Sequence, residues 1–167
     1  MKLGLITKSL RQNKEKANHH FVFIEAPLEA VFPEIVLWGE ALWWPKRVTM
    51  KFTRKTPGKV SVGTKYEQRV TFFGGPHWDA EVTKLIPKKE IERTFLNGIL
   101  VGKESVTLEF RVNGTRVDYL MQYKIRGLLN FVVWVLFFRR LHDRNITMIL
   151  EALREYILRK QKHPDHL

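Results

Sequence analysis

Val106-Thr-Leu-Glu-Phe-Arg-Val-Asn-Gly-Thr-Arg-Val-Asp-Tyr-Leu-Met-Gln-Tyr-Lys-Ile125 decides the fold. Val106, Leu108, Phe110 and Val112 alternate with Thr107, Glu109 and Arg111, and Val117, Tyr119, Met121, Tyr123 and Ile125 resume the alternation after Asn113-Gly114. A period of two sends one set of side chains to each face of a strand. Asn-Gly between two such runs is a type I′ hairpin signal. Two antiparallel strands result, each with a dry face that needs a cover. The cover follows directly. From Leu128 to about residue 160 the pattern becomes helical, most clearly after Arg139. Leu141, Asn145, Ile146, Met148, Ile149, Leu150, Ala152, Leu153, Tyr156 and Ile157 fill a broad arc, with Asp143, Arg144, Thr147, Glu151, Arg154 and Glu155 opposite.

Upstream, the same alternation recurs. Val48, Met50 and Phe52 form one run; Tyr66, Gln68, Val70 and Phe72 a second; Trp78, Ala80 and Val82 a third; Ile91, Arg93 and Phe95 a fourth. Phe73-Gly-Gly-Pro76 reads as a tight reversal. Ahead of these, His19-His-Phe-Val-Phe-Ile-Glu25 is a strand closed by Ala26-Pro27. Pro27 then opens a helical stretch, and Pro33 predicts a break into two short helices before Leu42-Trp-Trp-Pro45. The expected order is a strand, two short helices, six antiparallel strands and a long helix.

The 167 residues are 44% hydrophobic and 28% charged, which fits one compact domain and excludes a disordered or collagen-like chain. Cysteine is absent, so disulfides, thiolate nucleophiles and Cys-ligated metals are excluded. A net charge of +12 favours phosphates, anionic headgroups or acidic ligands without choosing among them. Residues 1–18 read as a basic arm or first helix, residues 19–160 as the domain, and residues 161–167 as a polar tail. No sustained apolar run or cleavage site opens the chain, so a cytoplasmic location is expected, with peripheral membrane contact as its extension.

Six stretches share a resemblance: Ile24-Glu-Ala-Pro27-Leu-Glu-Ala-Val-Phe32, Leu42-Trp-Trp-Pro45, Val62-Gly-Thr-Lys-Tyr66, Trp78-Asp-Ala-Glu-Val82-Thr, Asn113-Gly-Thr-Arg-Val117-Asp-Tyr119, and Arg139-Arg140 with Asn145 and Leu150-Glu-Ala-Leu153. In this order the chain resembles the START-like superfamily, also called SRPBCC or Bet v 1-like, which includes polyketide cyclase/dehydrase-like proteins. The resemblance implies an α+β helix-grip fold: a seven-stranded curved antiparallel sheet wrapped around a long C-terminal helix, with two short helices after the first strand. It also implies a hydrophobic ligand cavity between sheet and helix. Enzymatic activity belongs to some branches only.

Strand parity selects the cavity candidates Tyr66, Gln68, Trp78, Arg93, Phe95, Tyr119 and Tyr123, and the helical arc adds His142, Ile149 and Leu153. An inward guanidinium needs an acceptor. Arg93 therefore either holds a ligand oxygen, with Gln68 fixing its orientation, or pairs with a structural carboxylate. His142 is either a proton shuttle or a core histidine satisfied by a neighbour. Asp143 is assigned to the opposite face from His142. Trp38, Trp43 and Trp44 either flank the cavity mouth or anchor the packing. No catalytic residue is assigned. No metal-ligand spacing, nucleophile elbow or phosphate cradle is present, and no metal or cofactor is expected.

Leu128-Leu-Asn-Phe-Val-Val-Trp-Val-Leu-Phe-Phe138 is nearly all apolar yet too short for a bilayer span, which takes about twenty residues. It either docks on an anionic membrane through Trp134, Phe137, Phe138, Arg139 and Arg140, or is buried in the domain or a homodimer contact. The leading function is binding of a lipid-like, isoprenoid or polyketide-like molecule, with transfer at a membrane as an extension. A cyclase/dehydratase-like enzyme using cavity acid–base groups is the alternative. Basic residues spread over many strands without a recognition motif argue against a nucleic-acid partner.

Overall fold

The structure, a computed structural model, describes residues 15–163. Residues 1–14 of the expected N-terminal arm and the last four residues of the tail lie outside the described residues, and the arm's last three residues belong to the first strand. Seven strands form one antiparallel sheet: β1 (Lys16–Ile24), β2 (Met50–Arg54), β3 (Lys65–Val70), β4 (His77–Ile86), β5 (Glu90–Phe95), β6 (Leu100–Arg111) and β7 (Gly114–Ile125). Their spatial order is β1-β7-β6-β5-β4-β3-β2, so a six-stranded meander is extended by the first strand pairing with the last. β1 begins at Lys16, three residues before the expected start, and runs antiparallel to β7 from Lys16–Tyr123 to Ile24–Thr115.

After β1 comes the helix α1 (Leu28–Val36). Pro33 does not break it. Only the hydrogen bond to the Glu29 carbonyl is forfeited, while Val31, Glu34 and Ile35 are held in the interior. The second helical stretch is a succession of turns, with Glu40 N–H bonded to the Leu37 carbonyl at 2.8 Å, Trp44 to Ala41 at 3.0 Å and Val48 to Pro45 at 3.2 Å. The C-terminal helical run comprises α2 (Leu128–Val133), a π-helical turn (Trp134–Phe138) and α3 (Arg139–Lys162), which reaches two residues past the expected end. Among the described residues no helix is long and apolar enough to cross a membrane.

α3 buries Ile146, Ile149, Leu150, Leu153 and Ile157 in one core with Val82, Ile91, Val106, Val117 and Met121 of the sheet. Alternation overreaches at the strand ends. Phe72 falls in a 3-10 turn (Phe72–Gly74) and is exposed, and Phe110 and Val112 project at the β6–β7 tip beyond the helical cover. That tip is a two-residue turn of Val112 and Asn113 between paired Arg111 and Gly114. Only Asn113 takes a positive φ, 70°, so the turn is not type I′, which needs positive φ at both central residues. A β-branched valine resists that region, whereas asparagine tolerates it.

Within the long hairpin, Gly102 on β6 takes a φ of +145°. A Cβ there would run into the Gln122 carbonyl and lie 2.8 Å from Tyr123 Cα, so β6 and β7 approach where only glycine fits. Gly102→Ala is expected to cost at least about 2 kcal/mol, and to lower Tm by roughly 5 °C in thermal unfolding followed by circular dichroism. An unchanged Tm would show that the close approach does not constrain the sheet.

Candidate ligand site between sheet and helix

All ten cavity candidates point inward. Tyr66 and Gln68 come from β3, Trp78 from β4, Arg93 and Phe95 from β5, Tyr119 and Tyr123 from β7, and His142, Ile149 and Leu153 from α3; every one is buried. Sequence reading missed the residue that joins them. Glu104 on β6 is 1% exposed. It shares parity with Val106 and Leu108, so starting the strand two residues earlier would have found it.

The register explains why these groups meet. Arg93 lies directly across from Glu104 in the β5–β6 pairing, and Gln68 across from Trp78 in the β3–β4 pairing. Cross-strand partners share a face. Arg93 Nη1 is 3.4 Å from Glu104 Oε1, and Gln68 Nε2 donates to that oxygen at 2.7 Å. Trp78 Nε1–H donates to Gln68 Oε1 at 2.7 Å, which fixes the amide's orientation. Tyr119 O–H donates to Glu104 Oε2 at 2.9 Å and lies 3.3 Å from His142 Nε2. Because the phenol proton goes to Glu104, His142 must donate from Nε2 to the phenol oxygen.

Arg93 and His142 each show the structural reading offered for them, a carboxylate partner for the first and a neighbouring phenol for the second. Arg93 pairs with a structural carboxylate, yet its Nε and Nη2 have no partner; His142 Nδ1 and Tyr66 O–H are likewise buried and unpartnered. The guanidinium lies 5.4 Å from the centre of the Tyr66 ring. Burial, together with the adjacent Glu104 carboxylate, pushes the Tyr119 phenol well above its ordinary value, and burial raises Tyr66 and Tyr123. All three phenols thus remain hydrogen-bond donors at neutral pH.

A second cluster lies towards β1. Trp134 Nε1–H donates to Tyr123 Oη at 3.1 Å, and Asn18 Nδ2 donates to Asp143 Oδ1 at 2.9 Å. His20 Nε2 lies 3.1 Å from the same Asp143 oxygen. Asp143 is thus turned towards β1 rather than to the outer face, and sits 3.9 Å from His142 Nδ1, beyond hydrogen-bond range. Burial opposes its ionisation, but His142 and His20 outweigh that and hold its carboxyl below the ordinary value.

Trp134 is not a membrane contact. The π turn directs its indole inward, where it is fully buried. Phe138 is half-buried with its ring 6.3 Å from that indole, whereas Phe137, Arg139 and Arg140 are exposed. Trp38 and Trp43 are buried and pack with Trp44, as anchors do, and Trp38 stacks on Tyr119 at 6.0 Å.

No family model matches the chain, and no curated protein does. Solved structures do. The Zhui aromatase/cyclase from Streptomyces aligns over 92% of this chain and 100% of its own, with a TM-score of 0.70 at 14% identity. Norcoclaurine synthase from Thalictrum flavum aligns over 89% and 98%, with a TM-score of 0.68 at 11% identity. Ara h 8.0201 aligns over 87% and 99%, with a TM-score of 0.63 at 13% identity. The fold is the helix grip. In this helix-grip chain the sheet and the long helix enclose the Glu104 cluster, the place where the resemblance put a ligand.

Removing one member of a buried ion pair strands the other, whereas removing both leaves neither charge unpaired. Glu104→Leu is expected to cost about 3–5 kcal/mol in urea denaturation, and Arg93→Met combined with Glu104→Leu distinctly less than the sum of the single changes. Strict additivity would show that the two charges are not coupled.

Proposed function

We propose that the chain binds an amphipathic small molecule between sheet and helix. The observation that supports this reading is Arg93, fully buried with Nε and Nη2 unpartnered, its guanidinium over the ring of Tyr66, whose hydroxyl is also buried and unpartnered. Buried donors left unmade are costly, and a ligand oxygen would satisfy them. Glu104 already neutralises the guanidinium, so a second anion would meet a carboxylate at close range. A carbonyl or hydroxyl oxygen suits the pair better than a carboxylate or phosphate. The apolar body of a lipid-like, isoprenoid or polyketide-like compound would pack against Trp38, Trp78 and Phe95. Native mass spectrometry followed by organic extraction of the purified protein is expected to recover such a compound. Tyr66→Phe removes an unpartnered hydroxyl, so it should leave Tm unchanged or higher while weakening retention of the recovered compound about tenfold. Unchanged retention would remove Tyr66 from the site.

A second reading is favoured by a specific contact. Tyr119 bridges His142 and Glu104 within hydrogen-bond reach, which supplies the titratable groups that acid–base catalysis needs. The likeness to an aromatase/cyclase and to a synthase supports placing such chemistry in the same interior. In this reading His142 and Tyr119 exchange a proton with a bound carbonyl compound during ring closure or loss of water. Incubation with a linear polyketone should then give cyclised product, slowed about 10²–10⁴-fold by His142→Asn. Binding without turnover would leave the carrier reading alone.

A further inference from the structure

We propose that the face formed by α2, the π turn and the 3-10 turn docks on an anionic phospholipid surface. Leu128, Leu129, Val132, Leu136 and Phe137 are exposed on the helical segment, and Leu128, Val132 and Leu136 recur every fourth residue. Such spacing keeps them on one side of a helix. The 3-10 turn adjoins them. Phe72 shares a cleft of 290 Å³ with Leu136, Phe137 and Phe138, and Phe73 lines a second of 290 Å³ with Asn130, Val133 and Phe138. Phe73 is 90% exposed although its backbone sits at φ 48°, a region that disfavours bulky residues. An aromatic ring is thus carried outward at the tip of the same face.

The charges select the occupant. From Arg126 to His142 the chain carries Arg126, Arg139 and Arg140 and no acidic residue. Arg139, Arg140 and Arg144 make no ion pair with any described residue, and Arg140 and Arg144 line the Phe72 cleft. Exposed apolar side chains rimmed by unpaired arginines complement lipid acyl chains and phosphates together. A second copy of the chain fits poorly, since a two-fold contact would set these arginines against each other.

The test uses the whole chain and sedimentation with phosphatidylcholine vesicles, with and without phosphatidylserine. The parent is expected to sediment with phosphatidylserine vesicles and to be released by high salt. Phe73→Asp with Leu129→Asp should abolish sedimentation without changing Tm, because both side chains are exposed and aspartate tolerates positive φ. Arg139→Gln with Arg140→Gln should weaken partitioning about thirtyfold. Equal sedimentation of parent and variants would overturn the proposal. So would absence of parent binding, or a concentration-dependent dimer in solution that the Phe73 and Leu129 changes abolish.

Discussion

A carboxylate buried at the centre of the molecule sets the terms for everything around it. Glu104 cannot be held away from water unless several donors converge on it, because isolated burial of an ionised carboxyl costs far more than a domain's whole stability. Its oxygens lie within reach of Arg93 from β5, Gln68 from β3 and Tyr119 from β7, and Tyr119 links them to His142 on α3. Satisfying one group therefore demands the register of four strand pairings, from β3 to β7, and the rotation of the long helix. A slip of one residue in any of those pairings would turn a donor to the outer face. The polar cluster and the fold specify each other.

Most of that arrangement was legible in the sequence because a two-residue period leaves little choice. Tyr66, Gln68, Trp78, Arg93, Tyr119 and Tyr123 were assigned inward by parity alone, and all are buried. Glu104 escaped because it stands among Gly102, Lys103 and Ser105, where no apolar residue marks the rhythm. The rhythm also ran on too far. Phe110 and Val112 keep the alternation, but the hairpin outgrows the helix that would cover them, and coverage is a property of lengths in space rather than of local pattern. Asp143 was misassigned for a related reason. A helical wheel knows an inside and an outside, whereas β1 flanks α3 and supplies Asn18 and His20 to a position that the wheel puts outside.

The apolar stretch before α3 shows the limit of reading burial from composition. Eleven nearly continuous apolar residues contain one fully buried indole, Trp134, while five of their neighbours remain exposed. The π turn is the physical cause of the division, since its extra residue per turn shifts the faces of α2 relative to α3. Trp134 is captured inward by the Tyr123 hydroxyl, a bond that composition does not reveal.

The Arg93–Glu104 pair is a poor device for stability, because well-packed apolar residues of similar volume would commonly do as well or better. Its geometry is also incomplete: the single contact is 3.4 Å, and two guanidinium nitrogens point elsewhere without partners. An arginine used only to neutralise a buried carboxylate would be expected to form the two-pronged contact that its planar fork favours. Here Gln68 occupies Oε1 at 2.7 Å and Tyr119 occupies Oε2 at 2.9 Å, leaving the guanidinium at the margin of the carboxylate with spare donors. Such a pair cancels charge while keeping directional hydrogen-bonding capacity. On the proposed carrier reading, that combination suits an uncharged oxygen on an otherwise apolar molecule better than a second anion.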